Sequence, residues 1–211
     1  MMDDAEFCQI WRNFAKLIEE NREYLNSLDA AIGDADHGTN MARGMAKAIE
    51  SCDGANGGLR ETSKAIAMAM LSTVGGASGA LWGSGLLKLS ASLPETRSCS
   101  EREFVESVDA FVTSVHDRGK ANLGDKTMLD VFLPARDRLN AGVAAGESLL
   151  MLANELVGET AAWAANTKDL IALKGRAAYL GERSRGHVDP GAFSSSLWFK
   201  SLNQALEGKR A

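Results

Sequence analysis

The sequence predicts an all-α fold: one domain of antiparallel, amphipathic helices. Three observations carry this. Of 211 residues, 32 are alanine and 24 are leucine, whereas valine, isoleucine and threonine together number 23, too few for a strand-rich chain. Only three prolines are present, so long helices are rarely interrupted. Apolar residues recur at three- and four-residue steps along most of the chain. At 45% hydrophobic residues this length supports a sizeable core. The net charge of -5 leaves no basic excess to displace counterions from a phosphate backbone, which argues against a nucleic-acid partner. No run of 18 apolar residues exists, so no membrane span is expected. The acidic start Met-Met-Asp-Asp-Ala-Glu lacks the pattern of a signal peptide. Cys8, Cys52 and Cys99 are odd in number and widely spaced, suggesting neither a disulfide framework nor a zinc site. A cytoplasmic protein is expected.

The first helix is the clearest, with Phe7, Ile10, Trp11, Phe14, Leu17, Ile18, Leu25 and Leu28 on one face and Asp3 or Asp4 as its cap. A second covers about 38–51 through Met41, Met45 and Ile49, and the glycines of 53–58 read as a loop. A third, 60–74, runs into Gly75-Gly76-Ala77-Ser78-Gly79, beyond which Leu81, Leu86, Leu89 and Leu93 continue helically. Pro94 to Ser98 is a break, after which Ser100 and Glu103 form a capping-box signature ahead of Phe104, Val108 and Val115. A helix fits 125–140, with Asp125 as N-cap and Pro134 bending it or leaving a carbonyl unpaired. An alanine-rich helix spans Gly146 to about 171, an aperiodic segment 174–191, and a last helix starts near Gly191. The total is about eight helices in a single domain, 1–211.

In such a fold the residues without a packing reason lie in the connections. Asp29, Asp34 and Asp36 place three carboxylates within eight residues, where one helix ends and the next begins. Unpaired they repel one another, and a hard divalent cation relieves that repulsion. The alternative is that Asp36 or Thr39 merely caps the next helix. An EF-hand is excluded, because Met45 stands where its loop needs an acid. The cluster Gly75–Gly79 at a helix start can converge backbone N–H groups on an anion. Standing alone, such a cluster is more simply a helix C-cap. The segment 174–191 is long, basic and glycine-rich, with Arg176 suited to grip a phosphate. Gly119 and Gly124-Asp-Lys-Thr-Met128 form a charged helix start. In an antiparallel bundle alternate connections share one end, so these four can meet there. Acids, a glycine nest and basic loops are together the inventory of a magnesium–nucleotide site.

Four blocks resemble one family in order and nearly end to end: Leu28-Asp-Ala-Ala-Ile-Gly-Asp-Ala-Asp-His-Gly-Thr-Asn-Met41, Ser72-Thr-Val-Gly-Gly-Ala-Ser-Gly79, Gly124-Asp-Lys-Thr-Met128, and Lys174-Gly-Arg-Ala-Ala-Tyr-Leu-Gly-Glu-Arg-Ser184 with Gly186-His-Val-Asp-Pro-Gly191. The family is the nucleotide-binding L subunits of dihydroxyacetone kinases. The resemblance implies a barrel of eight antiparallel helices with the nucleotide at one end. It implies Asp29, Asp34 and Asp36 as ligands of magnesium, two ions in all. His37, Gly38, Thr39 and Asn40 would approach ADP or ATP beside the metal, and Ala77 and Ser78 would cradle phosphate. Gly119, Met128, Arg176, Asp189, Pro190 and Gly191 would complete the pocket.

The resemblance also implies a partner K subunit that holds dihydroxyacetone through its own histidine, so His37, His116 and His187 are not assigned that role. His37 is expected to touch nucleotide, His187 to order its loop, and His116 to be a polar helix position. No residue of this chain is expected to act as a nucleophile. Either bound ADP is recharged by a phosphohistidine-carrying M subunit of the phosphotransferase system, or ATP exchanges as a substrate, with erythrulose as an alternative ketose. The competing expectation is a nucleotide or metal sensor that transfers nothing.

Overall fold

The computed structural model describes residues 1–53 and 57–208, so residues 54–56 of the loop expected at 53–58 lie outside the described residues. Nine α-helices follow one another among the described residues: α1 (Asp4–Glu20), α2 (Arg22–Ile32), α3 (His37–Asp53), α4 (Gly58–Thr73), α5 (Gly76–Ser92), α6 (Glu101–Gly119), α7 (Leu129–Ala144), α8 (Leu149–Asn166) and α9 (Pro190–Glu207). Eight of them close a ring. Each of α3 to α8 packs on its successor, α9 packs on α1, and α1 packs on α3. The expected count of eight antiparallel helices is therefore the number of staves in the barrel.

The ninth helix arises because the expected first helix is broken. Asn21 donates both its backbone N–H (3.1 Å) and its side-chain amide (2.8 Å) to the carbonyl of Leu17, and so competes with the helical ladder at that point. Beyond the break α2 leans on α3 and α9, fastened by an edge-to-face contact of Tyr24 with Phe193 at 4.9 Å.

Several ends fall as the sequence predicts. Asp3 caps α1 and Ser100 caps α6, each in a reciprocal capping box with Glu6 and Glu103. Others differ. The helix expected to run to 171 stops at Asn166 and tightens into a 3-10 turn, Thr167–Asp169. The helix expected at 125 begins at Leu129. Asp125 does not cap it, because its carboxylate turns back to accept the N–H of Asn122 at 2.7 Å. Asp130 accepts the neighbouring N–H groups of Gly124 and Thr127 instead, both at 2.6 Å. Pro134, one turn inside α7, offers no N–H to the carbonyl of Asp130. The aperiodic 174–191 segment contains a kinked 3-10 stretch, Arg176–Ser184. A two-residue antiparallel pairing of β1 (Met2–Asp3) with β2 (Ser98–Cys99) has no counterpart in the sequence pattern, since strands this short leave no period to read.

The barrel is filled by aromatic side chains from five staves. Trp82 of α5 lies 5.4 Å from Phe14, 5.3 Å from Phe111 and 5.6 Å from Phe132, ring centre to ring centre. Phe132 in turn packs on Trp198 and Phe199. Few aromatics suffice because they meet at the axis, each burying a large apolar area. The three cysteines are free and buried within this packing. No described helix is long and apolar enough to cross a membrane.

Candidate functional site

Alternation of direction around the ring brings the starts of α3, α5, α7 and α9 to one end. A cavity opens there, lined by the α2–α3 acids, the glycine turn before α5, residues 126–128 before α7, residues 174–177, and 189–191 at the start of α9. The four connections singled out in the sequence do meet. Helix N-termini carry partial positive charge and unpaired N–H groups, so their convergence makes this end attractive to anions.

Asp29 builds the acidic corner. It is buried at the end of α2, and one oxygen accepts the N–H of Asp36 (2.9 Å) and of His37 (3.2 Å). That carboxylate thus does the capping of α3 that the sequence suggested for Asp36 or Thr39. Ala35 between the other two acids adopts a left-handed conformation (φ 64°), which a non-glycine residue adopts only at a cost of about 1–2 kcal/mol. The turn sets Asp34 and Asp36 beside Asp29, with one oxygen of each within 4.8 Å of the others. Three hard oxygen donors at that separation fit a divalent cation such as magnesium. Arg176 reaches in from the far wall and forms an ion pair with Asp34.

The glycine turn faces this corner. Gly75 is the N-cap residue of α5 and has no side chain to satisfy the first N–H groups. Gly76 takes a positive φ of 66°, and a Cβ there would stand 3.8 Å from the Arg176 guanidinium. Buried Asn40 lies alongside. Its carbonyl oxygen accepts from Arg43 at 2.7 Å, which leaves the amide N–H₂ as its donor group. Arg43 also donates to the carbonyl of Thr73 at 2.9 Å, tying the first turns of α3 to the end of α4.

His37 is buried between α5 and α9. Its Nδ1 lies 3.2 Å from the Ser78 hydroxyl and its Nε2 lies 3.0 Å from the Ser194 hydroxyl. Burial pushes the imidazole below its ordinary range despite the nearby acids.

Of the other residues expected here, Ala77, Met128, Arg176, Asp189, Pro190 and Gly191 also line the cavity. Asp189 caps α9 by accepting the N–H of Ala192 at 2.7 Å. Desolvation pushes its carboxyl up to about 7. Gly38, Thr39 and Gly119 are not on the cavity wall. Gly38 lies under α2, where a Cβ would collide with the carbonyl of Arg22. Thr39 exchanges two hydrogen bonds with Asn26, at 2.9 and 3.0 Å. Gly119 lines an adjoining, more apolar groove with Leu81, Val115, Met128 and Leu129. His116 is a half-exposed position on α6. The 174–191 loop is ordered in part through the carbonyl of His187.

That carbonyl reveals a residue whose importance the sequence understated. Lys126 is buried, and its ammonium donates to the carbonyls of Thr167 (2.7 Å), Leu170 (3.3 Å) and His187. It pins both ends of the long connection to the start of α7. Burial lowers its affinity for the proton, while Asp189, Asp130 and Asp169 favour the charged form. The one signal in the sequence is a lysine inside the Gly124–Met128 block, which by itself indicates no more than a charged helix start. Ser194 carried no signal beyond membership of a serine run.

Residues 31–204 match the family described as the DAK2 domain. The chain is 40% identical over 194 residues to the PTS-dependent dihydroxyacetone kinase, ADP-binding subunit DhaL, of Lactococcus lactis, covering 92% of this chain and 93% of that protein. It is 40% identical over 190 residues to the PEP-dependent dihydroxyacetone kinase, ADP-binding subunit DhaL, of Escherichia coli, covering 89% of each. It is also 35% identical over 206 residues to the L-erythrulose 1-kinase of Mycolicibacterium smegmatis, covering 93% of this chain and 35% of that longer one. The crystal structure of the dihydroxyacetone kinase from C. freundii in complex with AMP-PNP and Mg2+ shares the fold with a TM-score of 0.72, at 23% identity over 93% of this chain and 33% of that one.

Proposed function

The chain belongs to the DAK2-domain family, and from that premise we propose that it is the ADP-binding subunit of a dihydroxyacetone kinase. In this reading it presents a magnesium nucleotide to a ketose held on a partner K subunit. The observation that carries the reading is the cavity where three carboxylate oxygens within 4.8 Å of one another face the uncapped start of α5. Cations and anions are both provided for within one small volume, as a polyphosphate with its metal requires.

Asp29, Asp34 and Asp36 would hold magnesium, two ions in our reading, and magnesium supplies charge neutralisation of the phosphates. The N–H groups at the start of α5 and the amide of Asn40 donate to phosphate oxygens. Arg176, now paired with Asp34, turns to phosphate. Asp189, Pro190 and Gly191 close the wall at α9, and the groove beside Gly119 and Met128 accepts the base. The chain contributes position and charge to the transfer and no nucleophile of its own. The names of the Lactococcus and Escherichia relatives, an ADP-binding subunit of a PTS-dependent and of a PEP-dependent kinase, support bound ADP as the cofactor here. Recharging by a phosphohistidine donor of the phosphotransferase system, in the cytoplasm, is our reading of that dependence. The identity to an L-erythrulose kinase supports the same donor half serving another ketose.

The test is calorimetric titration of ADP with and without Mg2+, together with identification of any nucleotide released when the purified chain is denatured. Tight, magnesium-dependent binding that Asp34→Ala and Asp36→Ala abolish is expected. Unchanged binding in both variants would overturn the acids as the metal site, and no binding by the parent chain would leave only a capped helical bundle. A co-purified ADP supports recharging in place, whereas rapid exchange with ATP supports the ordinary substrate cycle.

A further inference from the structure

His37 cannot be understood from the cavity side alone, because its inner nitrogen is held by a residue with no access to ligand. Ser194 on α9 is fully buried, and its hydroxyl donates to the carbonyl of Gly191 at 3.1 Å, one turn back. A hydroxyl has one proton. When that proton goes to Gly191, as the bond back along the helix allows, the oxygen of Ser194 faces His37 Nε2 at 3.0 Å with lone pairs only. In that arrangement the ring donates from Nε2. A neutral imidazole with its proton on Nε2 has a bare lone pair on Nδ1, which can only accept. The partner 3.2 Å from Nδ1 is the hydroxyl of Ser78, in the first turn of α5.

We infer that Ser194 is a positioning residue: it fixes the Nε2–H tautomer of His37 and thereby turns the Ser78 hydroxyl proton away from the cavity. The consequence concerns the anion site and rests on the nucleotide reading above. Ser78 presents a hydroxyl oxygen to the cavity as an acceptor, and donation to phosphate at this turn falls to the backbone N–H groups of α5. The chain Gly191–Ser194–His37–Ser78 also links the starts of α9, α3 and α5, so three walls of the cavity are held in register by one buried ring.

Ser195 serves as the internal control. It too donates to the carbonyl of Gly191, at 2.7 Å, and has no contact with His37 among its hydrogen bonds. The experiment is long-range 15N–1H correlation NMR of the ligand-free, full-length chain labelled at histidine nitrogen, near neutral pH. The expected result is a pyrrole-type Nε2 and a pyridine-type Nδ1 for His37. Ser195→Ala is expected to leave that pattern in place, while Ser194→Ala shifts the ring toward the Nδ1–H form. Ser194→Thr keeps the hydroxyl and is expected to restore the Nε2–H form.

An Nδ1–H tautomer in the unsubstituted protein overturns the proposal, and so does a ring unaffected by Ser194→Ala. Thermal melts verify that each variant is folded, and if Ser194→Ala is not, the wild-type tautomer still decides. ADP titration in the presence of Mg2+ is run separately. There Ser194→Ala is expected to weaken binding by about three- to tenfold, the net worth of one neutral hydrogen bond. Failure of ADP to bind at all would count against the nucleotide reading, while the tautomer result would stand on its own.

Discussion

Arg176 and Asp34 are joined in an ion pair that spans the cavity, from the long α8–α9 connection to the acidic turn before α3. The pair brings a phosphate-gripping group and a cation ligand into direct competition. Replacing Arg176 with alanine is therefore expected to act in opposite directions on two ligands. Mg2+ alone should bind more tightly, because Asp34 is freed. Mg-ADP should bind about tenfold more weakly or worse, because a charge-assisted contact to phosphate is lost. Calorimetry with each ligand reads both signs, and a change of the same sign for both would refute the competition.

Asp29 has two duties that substitution can separate. Asp29→Asn keeps an oxygen to accept the N–H groups of Asp36 and His37, so the melting temperature should stay near that of the parent. The formal charge is gone, so magnesium-dependent ADP binding should be lost. Asp29→Ala removes both and should lower stability as well, by about 1 kcal/mol, the usual worth of a helix cap. Parallel melts and titrations of the two variants distinguish the roles.

Lys126→Met leaves three carbonyls without their shared donor in a buried place. A loss of about 3 kcal/mol of stability is expected, since each unsatisfied buried group costs roughly 1–3 kcal/mol. The same change at exposed Lys64 should be nearly silent. Urea unfolding compares the two, and the 167–189 connection should become the first segment cut by limited proteolysis in the Lys126 variant.

Asp189 predicts a pH dependence in the ligand-free protein. Its carboxyl titrates near 7 in the folded chain, raised by burial from an ordinary value of 3.8. The folded state thus holds this proton more firmly than the unfolded state does. The corresponding stability is full below about pH 4 and is lost as pH rises to about 7, after which it changes no further. Asp189→Asn stays neutral and keeps an acceptor for the N–H of Ala192. The variant should be more stable than the parent at pH 8, with the difference shrinking toward pH 4. Urea midpoints at both pH values check the sign.

Gly38→Ala should be costly although the glycine is not on the cavity wall. The added methyl meets the carbonyl of Arg22, so α2 and α3 must separate. Overpacking of this kind costs about 1–3 kcal/mol. Because the acids sit between those helices, magnesium affinity should fall together with the melting temperature.

Much of this molecule was legible in the residues themselves. Helical periodicity, the caps at Asp3 and Ser100, and the position of each polar connection are local properties, carried by side chains within a few residues of one another. So were the three acids and the glycine turn, since clustered carboxylates and glycines have few structural uses. The break at Asn21 is not legible there, because the apolar stripe continues through it and one asparagine bonding back to Leu17 leaves no trace in the period.

Tertiary structure decided which connections share an end, and it did so by closing the ring so that the starts of α3, α5, α7 and α9 converge. It also decided that Asp29, not Asp36 or Thr39, caps α3, that Lys126 is a buried clasp, and that His37 lies between Ser78 and Ser194. Those are contacts between residues up to 157 positions apart. A hydrogen bond depends on where a donor and acceptor stand in space, and only packing of the helices sets that distance.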